Sequence, residues 1–178
     1  MAIDRTRTLR GALAGAAAAA VWALQMPLDK LLFGSDYDDV EVLGKAVTRG
    51  RAWRPIGWAL HLQNGALFGA VYANIAPTVP LPSWTRGPVA SLIENFSAWP
   101  LAAASDRLHP ARDELPVLAS SPRAFAQATW RHLVFGVVLG ELERRLNSEE
   151  RQDLPPYAER MSSNGHGNLE HAAVGGTG

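Results

Sequence analysis

The chain has no cysteine, which excludes disulfide staples, thiolate metal sites and thiol nucleophiles and leaves the redox compartment open. It has no surplus of either charge: 17 Lys and Arg stand against 17 Asp and Glu, so the basic footprint of a nucleic-acid binder is missing. No G-x-S-x-G, Walker loop, dinucleotide fingerprint or H-E-x-x-H occurs, and no enzyme class is indicated. The hydrophobic fraction of 47% is ordinary for a soluble protein, but the average hides the distribution. Residues 11–28 carry no charge, and residues 55–85 carry none apart from the titratable His61.

What the chain has instead is a nonapeptide pattern that occurs twice. His61-Leu62 with Gly65 and Gly69, and His132-Leu133 with Gly136 and Gly140, both read H-L-x-x-G-x-x-x-G. At about 3.6 residues per turn, each copy puts a histidine and two glycines on one narrow helical stripe. Glycine costs a helix interior roughly 1 kcal/mol relative to alanine, so its recurrence at this spacing suggests backbones in close approach, as between membrane helices.

Taken in order, Arg5, Arg7 and Arg10 precede the first apolar run, which is alanine-rich, opens on Gly11 and Gly15 and predicts a helix over about 10–33. Residues 34–54 place Asp36, Asp38, Asp39 and Glu41 ahead of Lys45, Arg49, Arg51 and Arg54, with Val40, Leu43 and Val47 at helical spacing. Acids first and bases last complement a helix dipole, and a short helix lying along the membrane surface is expected. The second long helix, about 55–76, carries the strongest membrane signal: residues 56–75 alone reach about 30 Å as a helix. The third, about 86–108, holds Glu94 near its middle and is expected to kink at Pro100. The fourth, about 123–146, is interrupted by Arg131. The helical domain is thus expected over 1–147, followed by a disordered polar tail over 148–178 in which His166 and His171 read as solvated.

Met26-Pro27-Leu28-Asp29-Lys30 resembles Trp99-Pro100-Leu101 followed by Asp106-Arg107, and the two glycine stretches lie 71 residues apart (132 minus 61). The expected fold is therefore all-α: a four-helix transmembrane bundle built from two repeated helical hairpins, with parallel repeats that place His61 and His132 at matching depth. The basic cluster ahead of the first helix and the Arg144-Arg145 pair ending the last favour both termini inside. A water-soluble bundle is the alternative.

The glycine-opened first helix, the Pro-Leu ending, the His-x3-Gly-x3-Gly helix, the mid-span polar group of the third helix, and Trp130-Arg131-His132-Leu133 running to Glu143-Arg144-Arg145 together resemble the YagU-like group of small bacterial inner-membrane proteins. The resemblance covers about 9–147. It implies a multi-pass protein of the bacterial inner membrane, with acid-stress survival associated with one branch, and it carries no catalytic residue across. The chain departs from the group in its short second loop and long tail.

Six polar groups and one arginine are expected within the spans: Gln25, His61, Asn64, Glu94, Asn95, His132 and Arg131. A lone charge at the bilayer centre costs about 2.5–3.5 kcal/mol on insertion scales. Glu94 and Arg131 are therefore expected to pair across helices, with Asn95 nearby, to leave Glu94 as a proton or substrate site, or, with a helix end placed differently, to leave one of them in water. His61 and His132 have three readings: hydrogen bonding across the bundle, axial ligation of a b-type haem with Gly65, Gly69, Gly136 and Gly140 making room for the ring, or a pH-responsive pair. Gln25 and Asn64 are expected to bond neighbouring helices, and Asp29, Lys30, Asp106 and Arg107 to mark helix ends at the surface. Three function classes follow. They are transport or envelope stress response around Glu94 and the histidines, a haem-binding module, and a structural protein that uses its glycine faces to bind a membrane partner or a second copy.

Overall fold

The computed structural model describes residues 4–148, and every regular element among them is helical. The α-helices are α1 (Arg5–Phe33), α2 (Asp39–Val47), α3 (Trp53–Ile75), α4 (Ser83–Ala98), α5 (Ala102–Leu108) and α6 (Pro122–Leu146), with 3-10 turns at Ala76–Thr78 and Trp99–Leu101. The all-α expectation holds, and the four long segments fall within a few residues of their expected bounds. The helix expected over 86–108 is divided: Pro100 lacks a backbone N–H, and the chain passes through a 3-10 turn there before α5 begins. The packed helical unit ends at Leu146. The tail expected to be disordered lies, beyond its first residue, outside the described residues.

Local chemistry sets the ends. The Asp4 carboxylate accepts from the Arg7 backbone N–H at 3.1 Å and caps α1, and the Asp38 carboxylate accepts from the Glu41 N–H at 3.0 Å and caps α2. Gly34 closes α1 in the left-handed region at φ 57°, a conformation that favours glycine.

Two antiparallel helix pairs follow from the glycines. A Cβ on Gly15 would overlap the Gly65 carbonyl, and one on Gly11 would overlap the Gly69 carbonyl and the Ala73 side chain, so α1 and α3 meet backbone to backbone. In the second pair a Cβ on Gly87 of α4 would meet the Gly136 carbonyl of α6, and one on Gly136 would meet Ser91 and the Gly87 carbonyl. A third close crossing seats α2 on α3, where Gly44 faces the Trp53 carbonyl and Gly57 the Val40 carbonyl. The pairs join through α1 and α6, whereas α3 and α4 make no extensive contact. The spatial order is therefore α3, α1, α6, α4, with a gap between the outer two.

The interior mixes apolar and polar groups, with Trp22, Met26, Tyr72, Phe135 and Leu139 buried in its main cluster. The core is small, with Ala14, Ala18, Ala19, Ala23 and Ala73 fully enclosed, and its largest wholly buried side chains include Arg131, Gln127, Asn95 and Asp29. Large apolar side chains point outward: Leu9, Leu13, Leu24, Leu28, Leu31 and Leu32 on α1, Leu67, Val71 and Ile75 on α3, Ile93 and Phe96 on α4, and Val137 on α6. Among the described residues α1 alone is long and apolar enough to cross a membrane by length and composition, and 44% of its most apolar window is buried. The segment expected to give the strongest signal, α3, falls short of that test; His61, Gln63, Asn64 and Asn74 lower its hydropathy.

Candidate functional site: a cavity between the helix pairs

A cavity of about 340 Å³ lies where α1, α3, α4 and α6 converge, beneath α2 and α5. His61, His132, Glu94, Asn64 and Asn95 all line it, together with Asp39, Tyr37, Trp22, Phe68, Trp99 and Phe135. Five of the seven expected polar residues therefore meet around one space. Asn64 and Glu94 are exposed at its mouth, which opens between α3 and α4.

The Glu94–Arg131 pairing does not form. Arg131 is fully buried and turns to Asp29: Nε donates to one carboxylate oxygen at 2.7 Å and Nη2 to the other at 2.6 Å. Its Nη1 donates to Asp39 at 2.8 Å and Nη2 also to the Tyr37 carbonyl at 3.0 Å. Asp29, expected to mark a helix end at the surface, is only 1% exposed and also accepts from Gln127 at 2.6 Å. Asp39 accepts from the Trp22 indole N–H at 2.9 Å and from the Tyr37 hydroxyl at 2.5 Å. A fork-shaped guanidinium suits this arrangement because it satisfies two carboxylates and a carbonyl from one plane. The spacing Trp22, Met26, Asp29 placed Asp29 on the buried stripe of α1, a signal that its position beside Lys30 obscured. Asp39 carried no comparable local signal, because α2 had to dock before it faced α6.

Glu94 pairs instead with His132, whose Nε2 lies 2.6 Å from its carboxylate. The other ring nitrogen, Nδ1, is 2.7 Å from the Ala128 carbonyl, an acceptor only. With Nδ1 donating to that carbonyl, Nε2 faces the Glu94 carboxylate, and a hydrogen between them completes the contact only when one of the two partners supplies it.

The histidines do not bond each other. The Trp22 indole stands between them, its ring centroid 5.5 Å from His61 and 4.5 Å from His132, edge-on to both. His61 donates through Nε2 to the Ala19 carbonyl at 3.1 Å. Haem does not fit: the Trp22 ring fills the space between the imidazoles, and both ring nitrogens of His132 are engaged. Among the described residues no group of three or more His, Asp or Glu is placed to hold a metal ion. Asn95 donates to Thr129 at 3.0 Å and ties α4 to α6, and Gln25 accepts from Trp130 at 3.0 Å and ties α1 to α6, away from the cavity. Lys30 pairs with Asp38, and Asp106 accepts from the Leu118 and Ala119 N–H groups, fixing the loop beneath the cavity.

An ionic cluster holds α2 to the loop after α5. Lys45 bridges Glu41 at 2.7 Å and Glu114 at 2.8 Å, and Arg49 pairs with Asp113 and Glu114. Hydrogen bonds from Lys45 and Arg49 hold Glu114 below the usual carboxylate range, that from Arg49 lowers Asp113, and those to Glu114 and Glu41 raise Lys45. Compared with family models, curated proteins and solved structures, the chain gives no match.

Proposed function

We propose that the chain is a multi-pass integral membrane protein whose four spans, α1, α3, α4 with α5, and α6, form two repeated hairpins, and that it moves a proton or small solute through the cavity at Glu94 and His132. The observation that carries this reading is the inverted distribution of side chains. Leucines and other large apolar groups lie exposed on all the long helices, while Arg131, Asp29, Gln127 and Asn95 are buried beside an apolar core of alanines, Trp22, Tyr72, Phe135 and Leu139. In water this arrangement leaves many large apolar side chains exposed, whereas in hydrocarbon it solvates the exterior and leaves the polar groups to one another. Close glycine crossings suit the same setting, since association in lipid depends on tight packing rather than on hydrophobic burial.

The repeat is supported by matching crossings. Gly15 meets the carbonyl of Gly65 as Gly87 meets that of Gly136, an offset of 72 residues on one side (87 minus 15) and 71 on the other (136 minus 65). The YagU-like resemblance points the same way, to a bacterial inner membrane, and adds envelope stress as a physiological setting. Two experiments test the reading. The protein should stay in the membrane pellet after an alkaline wash; release into the supernatant would reject the four-span arrangement. Reconstituted into liposomes, it should conduct a proton or solute flux that Glu94→Gln abolishes, and flux undiminished in that variant would remove Glu94 from the path.

A further inference from the structure

We infer that the cavity binds a monovalent organic cation, and that binding releases the proton shared by His132 and Glu94. The inference rests on the solute-carrying reading above and names its substrate class. Three features select the ligand. The cavity is lined by two carboxylates, Asp39 and Glu94, and by no lysine or arginine. Behind it, Arg131 is the counter-ion of both Asp29 and Asp39, so this triad retains one net negative charge. Both oxygens of Asp39 are taken up by Arg131, Trp22 and Tyr37, whereas the Glu94 side chain is 44% exposed at the mouth with His132 as its partner. Glu94 is therefore the carboxylate that an incoming ligand can reach. An anion is excluded by charge.

The walls decide between cations. Trp22, Phe68, Trp99 and Phe135 surround the space, and aromatic faces attract an alkylammonium group that has shed its water. A small metal ion needs several oxygen ligands to replace its hydration shell, and no cluster of that kind exists among the described residues. The volume of about 340 Å³ lies at the lower end of small-molecule pockets, which are roughly 300–1,000 Å³.

Proton release follows from the charge count. With Nδ1 committed to the Ala128 carbonyl, the pair neutralises itself by holding one proton at the Nε2–carboxylate contact. A cation seated against Glu94 supplies that positive charge instead, and the proton leaves to water, so one charge enters as one departs. The other ionisable groups facing the pair are His61 from α3 and Tyr37 and Asp39 from the start of α2; Arg131, next to His132 on α6, is turned onto its own carboxylates. Exchange of this kind would couple solute movement to a proton gradient.

The test uses the detergent-solubilised full chain, titrated calorimetrically with benzyltrimethylammonium and with the neutral N-benzylacetamide at about pH 6 and about pH 8, in buffers of different ionisation enthalpy. The cation should bind with release of close to one proton, and its affinity should rise as pH rises, by at most about tenfold per unit. The amide should bind at least about tenfold more weakly. Glu94→Gln should remove both cation affinity and proton release, and His132→Gln should keep the affinity while flattening its pH dependence. Equal binding of amide and cation, or cation binding without proton release in the unaltered protein, would overturn the inference, and this comparison stands even if neither variant folds. Binding without liposome flux would sink the transport reading and leave the cation site intact; flux of neutral solutes alone would do the reverse.

Discussion

Arg131 is the shared counter-ion of the buried Asp29 and the partly buried Asp39, so removing it strands both. Arg131→Leu should destabilise the protein by about 3–5 kcal/mol, the usual consequence of leaving a buried charge without its partner. Adding Asp29→Asn and Asp39→Asn should recover much of the loss, measured as the thermal midpoint in detergent. Glu94 belongs to a different network through His132, so Glu94→Gln and Arg131→Gln should act additively; a coupling above about 0.5 kcal/mol would place them in one network. The residue types in these networks were evident from the sequence. Their partners were not: Glu94 was the expected partner of Arg131, and only the crossing of α1 with α6 selects Asp29.

The glycines divide by what they face. At Gly136 an added methyl would run into Ser91 and the Gly87 carbonyl, whereas at Gly140 the nearest atoms, Cα and N of Gly87, are 3.4 and 3.5 Å away, ordinary contact. Gly136→Ala should therefore separate α4 from α6 and lower stability, while Gly140→Ala should be neutral or stabilising by up to about 1 kcal/mol through its better helix propensity. The two sites hold equivalent places in one sequence motif, so a thermal melt of each variant tests the geometry rather than the pattern. In α2 the ionic cluster responds to pH. Glu114 and Asp113 are lowered from ordinary values of 4.5 and 3.8, so their contribution is full above those values and is lost as pH falls through the depressed ones. The pairs are solvent-exposed and the effect is small, but amide exchange in α2 should quicken below about pH 4 relative to α3.

The inverted surface makes a prediction about the molecule in a bilayer. With single-tryptophan variants in brominated lipid, Trp130, 40% exposed on α6, should be quenched, and Trp22, 7% exposed between the histidines, should be protected. The opposite order would mean that the exterior faces water. The gap between α3 and α4 leaves Glu94 at the mouth of the cavity, and a cysteine placed at Asn64 in this cysteine-free chain should react with a small polar thiol reagent and be protected by benzyltrimethylammonium.

Helix positions and the glycine stripes were legible in the residues, because charge-free length, proline and the i, i+4 spacing act locally and need no knowledge of neighbours. The break at Pro100 was half legible: proline dictates a disturbance, but whether the chain bends or restarts depends on how α5 packs. The choice of partner among buried charges, the indole between the two histidines and the pairing of Glu94 with His132 arose only when the helices crossed. Each depends on which faces of distant segments meet and at what register, and a helical stripe fixes its own face without fixing the one opposite.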